Sequence, residues 1–349
     1  MKVNDLDFYL VAIGQAEPAG SVRSLLVRVS TDSGLEGWGE SGLGWRAAEL
    51  SARRDALLAV LAGRSVYDIE ELHSLEALAA APLRSAVEMA FWDLAGRAMR
   101  QPLCNLFGGY YRRRAPVSVR LAGRRPAQMA QVARELAEEG FHTQTIAASG
   151  RPDEDLATLA AVRAMVGESV ELRFDGMARY DAETARDLCA GVEFEGLQFF
   201  LDPLNTRELY PVASLGRQTS VPLALWRAIH GPADVLAAVR CGAAPYVLVD
   251  LDQVGGIVPA RHCAAVAAAG GISPLLGGRP SVGIASAAML HLAAAVSAFS
   301  SGNEIASRQL RDTVLAGPFE VVDGMMAVPQ SPGLGVEVDR AKVEKYQVA

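Results

Sequence analysis

Apolar and polar residues alternate along residues 21–41, SVRSLLVRVSTDSGLEGWGES, around an Asp-Ser-Gly break, so the spacing predicts a strand, a turn and a second strand. From about 45 to 107 the period lengthens. Val87, Ala90, Phe91, Leu94 and Ala98 share one apolar face, as a helix requires, and Pro102 with the Gly108-Gly109 pair ends the region. Beyond Ala115, short apolar runs alternate with Ala-rich helical stretches: APVSVRL, FHTQTIAA, VELRFDG, LQFFLDP, PLALWRAI, YVLVDLD, ISPLLGG and AVSAFSS. Asp175, Leu201, Trp226 and Asp250 mark the rhythm at intervals of 26, 25 and 24 residues, one strand and one helix per step. Such a series predicts an α/β fold of the TIM-barrel type, its strands apolar on both sides because helices cover them. A doubly wound open sheet is the alternative. Residues 319–339 are rich in strand formers, Pro and Gly, and are expected to pack on the N-terminal unit.

At 349 residues, half of them hydrophobic and 21% charged, the chain has the composition of a globular protein of about two domains. The expected division is an α+β capping domain over 1–114, the barrel over 115–305 and a C-terminal return over 306–349. A net charge of -7 leaves no basic footprint, so nucleic acid is not an expected partner. The most apolar window, 285–299, contains His291 and is too short to span a bilayer, and Asp5 and Asp7 interrupt the N-terminus where a secretory leader needs an apolar run. A cytoplasmic protein without a membrane partner is expected. The four cysteines are far apart and read as reduced thiols. Lysine is the informative absence: Lys2, Lys342 and Lys345 are the only ones. Arginine stays protonated, so neither a Schiff base nor an amine base is available between residues 3 and 341.

In order along the chain, GLEGWGE (34–40), AFWDLAGRAMRQPLCNLFGG (90–109), VRAMVGESVELRFDG (162–176), DQVGGI (252–257) and DGMMAVPQSPGLGVEVD (323–339) resemble the words of the enolase superfamily, in its mandelate racemase and muconate-lactonizing branch. The resemblance covers essentially the whole chain. It implies a modified (β/α) barrel of seven or eight units under an α+β capping domain, and proton abstraction next to a carboxylate. In that family three carboxylates at successive strand ends hold Mg²⁺, and lysines or a His move the proton. Position by position, the second-strand lysines fall on Thr145 and Ala147, the first metal ligand on Asp175 and the second on Leu201. Asp202 is adjacent, but neighbouring strand residues face opposite ways. The third ligand falls on Trp226 or Arg227, and the sixth-strand lysine on Asp250.

The resemblance therefore implies a homologue whose metal ligands and lysine bases are degenerate, with no cofactor expected and Asp175 a relic ligand: a pseudoenzyme or a repurposed protein. The alternative is a metal-independent isomerase or lyase acting on a small carboxylic acid. An open polar pocket at the strand ends would favour the enzyme; a mouth plugged by Leu201, Trp226 and Met177 would favour the inactive homologue. Candidate catalytic residues are Asp250, Asp252, Arg227 and His230, and candidate substrate-binding residues are Arg173, Trp226 and Glu304. Arg227 is expected at the cation position, paired with Asp175 and with Asp250 as a second partner, because buried charges need compensation. Otherwise it faces the helices while Trp226 fills the mouth. Asp250 and Asp252, two apart on one strand, share a face; they read as a general base with a charged neighbour or as a solvated rim. His230 reads as a base or as a helix-start residue, and Arg173 as a carboxylate binder or as a counter-ion. LLGGRPSVG (275–283) resembles a phosphate cradle as much as an ordinary loop, and YYRRRAP (110–116) reads as a solvated or subunit-facing surface. A small carboxylate ligand and a homo-oligomer are the expected partners.

Overall fold

The computed structural model describes residues 1–15, 20–305 and 310–348. Strands β1 (Val3–Gly14), β2 (Ser21–Thr31) and β3 (Glu36–Ser41) make an antiparallel sheet in that order. The β2–β3 hairpin follows the alternation. Strand β1 escapes it because Asp5 and Asp7 break the pattern, and these carboxylates are ion-paired with Arg54 and Arg28. Helices α1 (Leu50–Leu61) and α2 (Ala81–Met99) pack on this sheet, burying Leu57, Leu61, Val87, Phe91 and Leu94 with Leu25, Val27 and Val29. A Cβ at Gly39 would lie 1.8 Å from the Ala86 carbonyl oxygen, so only glycine lets strand and helix backbones approach this closely.

Helix α3 (Leu103–Leu106) and strand β4 (Arg114–Pro116) lead into seven parallel strands. These are β5 (Val119–Leu121), β6 (Thr143–Ala147), β7 (Glu171–Asp175), β8 (Leu197–Leu201), β9 (Leu223–Leu225), β10 (Tyr246–Val249) and β11 (Ser273–Leu276), paired in chain order. The outer layer is α4 (Pro126–Glu138), α5 (Pro152–Val166), α6 (Ala182–Gly191), α7 (Leu209–Gly216), α8 (Pro232–Cys241), the single turn α9 (Leu251–Val254), α10 (Ile257–Ala269) and α11 (Ile284–Ala295). None of the described helices is long and apolar enough to cross a membrane.

The run expected as an eighth strand, 295–301, is the end of α11 and the turns after it. Asn303 and Glu304 bridge β5 and β11 instead: the Ser118 N–H donates to the Asn303 carbonyl at 2.8 Å and the Glu304 N–H to the Leu276 carbonyl at 2.8 Å. Arg112 explains where α11 stops. Its guanidinium donates to the carbonyls of Ala293 (2.5 Å), Phe299 (2.8 Å) and Ser297 (3.0 Å), so part of the basic run is a helix C-cap rather than a free surface. Strands β12 (Val321–Val322) and β13 (Met325–Ala327) pair with β4, and α12 (Arg340–Tyr346) follows. The buried Asp93 of α2 ties this return down, accepting the Leu334 N–H at 2.9 Å. Inside the barrel, Phe199, Leu201, Ala224, Leu248 and Leu275 form an apolar plug below the strand ends.

Candidate active site at the barrel mouth

Strand geometry brings Arg120, Thr145 and Asp175 from β5, β6 and β7 to one end of the barrel, since Arg120 pairs with Thr145 and Thr145 with Arg173, one pleat below Asp175. The Arg120 guanidinium donates to Asp175 Oδ2 at 2.5 Å and to Glu304 Oε2 at 3.0 Å, and Thr145 Oγ1 donates to Glu304 Oε1 at 2.7 Å. Arg227 Nη1 lies 3.3 Å from Asp175 Oδ1 and 2.7 Å from Asp202 Oδ2. The Trp226 ring is stacked 4.4 Å from the Arg227 guanidinium. Burial alone would raise the Asp175 carboxyl, but Arg120 and Arg227 hold it below the usual range. The same carboxylates offset the desolvation of Arg120, which is pushed up.

Asp202 corrects the strand-parity argument. It lies one residue beyond β8 with φ +40°, and this left-handed turn swings its carboxylate back to Arg227 and to the N–H groups of Trp226 (2.9 Å) and Arg227 (3.0 Å). Asp202 therefore takes the place that had been expected for Asp250 beside Arg227. Leu201, at the second ligand position, is fully buried in the plug.

Asp250 and Asp252 do not share a strand face, because β10 ends at Val249 and Asp250 is the N-cap of α9. Asp250 Oδ1 accepts the Asp252 N–H at 2.9 Å. Asp252 Oδ2 accepts the Gly42 N–H at 2.6 Å and lies 3.6 Å from Arg279 Nη1. Burial, with the Asp250 charge adding to it, pushes Asp252 up to about 7, and burial raises Asp250 too. Beside the pair is a cavity of about 20 Å³ lined by Glu40, Asp250, Asp252 and Arg279, room for about one water molecule.

Two candidates lie elsewhere. His230 is half exposed at the start of α8, where its N–H donates to Asp234 Oδ2 at 2.8 Å, a helix-start arrangement. Arg173 is fully buried lower in the barrel, donating to Gln198 Oε1 (2.5 Å) and the Gly302 carbonyl (2.6 Å) with its guanidinium 4.9 Å from the Phe199 ring. Burial pushes it down to about 10. Sequence reasoning missed Arg120, although a charged residue inside the apolar run VSVRL was a signal. It also missed Glu40, whose carboxylate occupies the supposed phosphate cradle. Glu40 accepts from the N–H groups of Val282 (2.6 Å) and Ala285 (3.0 Å) and from the hydroxyls of Ser281 (2.8 Å) and Ser24 (3.0 Å).

Two family models match the chain: "Mandelate racemase / muconate lactonizing enzyme, N-terminal domain" over residues 15–108 and "Enolase C-terminal domain-like" over 128–342. Muconate cycloisomerase 1 of Rhodococcus opacus is 28% identical over 338 residues, covering 92% of this chain and 90% of that protein. An enolase from Streptomyces coelicolor described as a putative sugar isomerase superposes with a TM-score of 0.89 at 27% identity, over 99% of this chain and 96% of that one. The dipeptide epimerase of Enterococcus faecalis, solved with Mg and the dipeptide L-Leu-L-Tyr, has a TM-score of 0.88 at 23% identity, over 97% of this chain and 100% of its own.

These comparisons correct the expectation of no cofactor: the homologous dipeptide epimerase of E. faecalis carries Mg. The expectation failed physically at Asp202, since two carboxylates rather than one face Arg227. In the arrangement described, their oxygens are engaged by guanidinium and backbone N–H groups, and among the described residues no three His, Cys, Asp or Glu converge as a metal-binding group. Asp175 and Asp202 are thus the two carboxylates that meet beside Arg227 at the strand ends.

Proposed function

Because the chain belongs to the mandelate racemase/muconate lactonizing enzyme family of the enolase superfamily, we propose that its barrel mouth is a family active site in which charge compensation has replaced lysine-driven proton abstraction, leaving an inactive or repurposed homologue. The observation that carries this reading is the network itself: Arg120 and Arg227 are each shared between two carboxylates. A proton next to a carboxylate is too weakly acidic to leave unless a base stands within hydrogen-bond reach and the developing charge meets a cation. Here both guanidinium groups are committed, the second-strand base positions are Thr145 and Ala147, and no lysine lies between residues 3 and 341. A small carboxylate remains the ligand class proposed, and self-association the assembly.

A second reading rests on Asp252. A carboxyl near 7 beside Arg279 is suited to hold or accept a proton at neutral pH, as an isomerase or lyase acting on a small carboxylic acid would need. One experiment separates the two. Small 2-hydroxy and 2-amino acids and unsaturated diacids are incubated with the protein in deuterated water, with and without Mg²⁺, and followed by proton NMR. The first reading predicts no exchange above the protein-free rate in either condition. Exchange abolished by Asp252→Asn would establish the second, and Mg²⁺-dependent exchange would overturn the first.

A further inference from the structure

A second buried carboxylate lies where the N-terminal unit meets the barrel. Glu88 of α2 is fully buried, and its Oε1 accepts the Trp92 indole N–H at 3.0 Å and the Val258 backbone N–H, in the first turn of α10, at 2.9 Å. Its other oxygen has no hydrogen-bond donor. That oxygen faces His73 Nε2, on the 3-10 turn Glu70–Ser74, at 3.8 Å, and the His73 nitrogen is itself buried and without a hydrogen-bond partner. Gly256 closes the third side with φ +131°, and a Cβ there would fall 1.4 Å from Glu88 Oε2. Arg84, also on α2, donates to the Gly255 carbonyl at 3.2 Å. The corner gripped in this way, Gly255 to Val258, directly follows the turn α9 that carries Asp252.

Two unpartnered polar atoms facing each other in a buried seam are costly unless a proton lies between them, because a lone acceptor or a lone charge loses its hydration without return. We propose that Glu88 and His73 form a single-proton clasp between α2 and the 3-10 turn Glu70–Ser74, beside the start of α10 that Glu88 also holds, so that docking of the N-terminal unit on the corner after Asp250 and Asp252 responds to proton binding. The charged and titratable groups around the pair are Arg84 on α2, Glu70 on the turn of His73, and His262 on α10. Burial pushes Glu88 up to about 7, and burial with the Arg84 charge lowers His73, so the proton resides on the carboxyl side of the pair. The inference is independent of whether the mouth is catalytic.

The sign follows from proton counting. Between pH 5 and 7 the folded Glu88 keeps a proton that the unfolded chain has released, so its contribution to stability falls as pH rises. The test compares wild type with Glu88→Gln by urea denaturation at pH 5, 6, 7 and 8. The ratio of their folding equilibrium constants, wild type over variant, is expected to fall roughly 40-fold from pH 5 to 7 and to change by less than about twofold from pH 7 to 8. A ratio constant within about twofold would overturn the proposal. Should the variant fail to fold, hydrogen exchange of the Val258 amide in wild type and His73→Gln decides. Corrected for intrinsic rates, exchange that accelerates over the same range in wild type with a displaced midpoint in His73→Gln supports the clasp, and pH-independent protection refutes it.

Discussion

At the scale of single residues, burial decides what each carboxylate can do. Asp175 is fully buried and Asp252 largely so, yet two guanidinium groups lower the first while desolvation and Asp250 raise the second to about 7. A carboxyl raised in the folded state contributes stability below its unfolded value near 4, and that contribution is lost as pH rises through about 7. Asp252→Asn, which keeps an acceptor for the Gly42 N–H, is therefore expected to gain about 2 kcal/mol of stability relative to wild type between pH 5 and pH 8 in urea denaturation. A pH-independent difference would show that Asp252 is ionised throughout. His291 runs the other way. Burial lowers it to about 4, with its Nδ1 accepting the Cys104 N–H at 3.2 Å, so stability is lost as pH falls from about 6.5 to 4 while the unfolded chain takes up the proton.

Among the elements, the start of α11 does the work of joining the two units. A helix N-terminus presents unpaired N–H groups and a positive dipole end, and β3 supplies the anion for it in the form of Glu40. A glycine-rich loop before a helix signals anion binding in sequence, but the spacing cannot say that the anion is a side chain 242 residues away. Removing it takes the acceptor from the buried Val282 N–H, from the part-buried Ala285 N–H and from the Ser24 hydroxyl, so Glu40→Ala is expected to cost about 3 kcal/mol. Glu40→Gln, which can still accept, should cost less than half of that; equal losses would mean that packing rather than hydrogen bonding matters there. The hairpin β2–β3, helix α2 and the seven barrel strands were legible because periodicity follows burial. Strand β1 was not, because paired Asp residues on its partly exposed face mimic a loop, nor was the closure at Asn303, which rests on isolated bridges rather than on a run of apolar residues.

For the molecule as a whole, the family and its barrel could be read from ordered words along the chain, whereas the mouth could be read only in part. Arg227 lies beside Asp175, as the buried-charge argument requires. Its second partner, Asp202, depends on a left-handed backbone turn that strand parity does not foresee, and Arg120 comes from a strand on which the family pattern names no residue. Together these side chains sit at one end of the barrel over an apolar plug, each guanidinium between two carboxylates.

Whether the guanidinium and carboxylate groups at the mouth satisfy one another is read by a double-mutant cycle on Arg120→Met and Asp175→Asn in urea denaturation. A coupling energy of at least about 1.5 kcal/mol is expected, since each single change removes a direct charge partner that the remaining Arg227–Asp175 and Arg120–Glu304 contacts replace only in part. Additivity within about 0.5 kcal/mol would contradict it, showing that the two groups do not depend on each other.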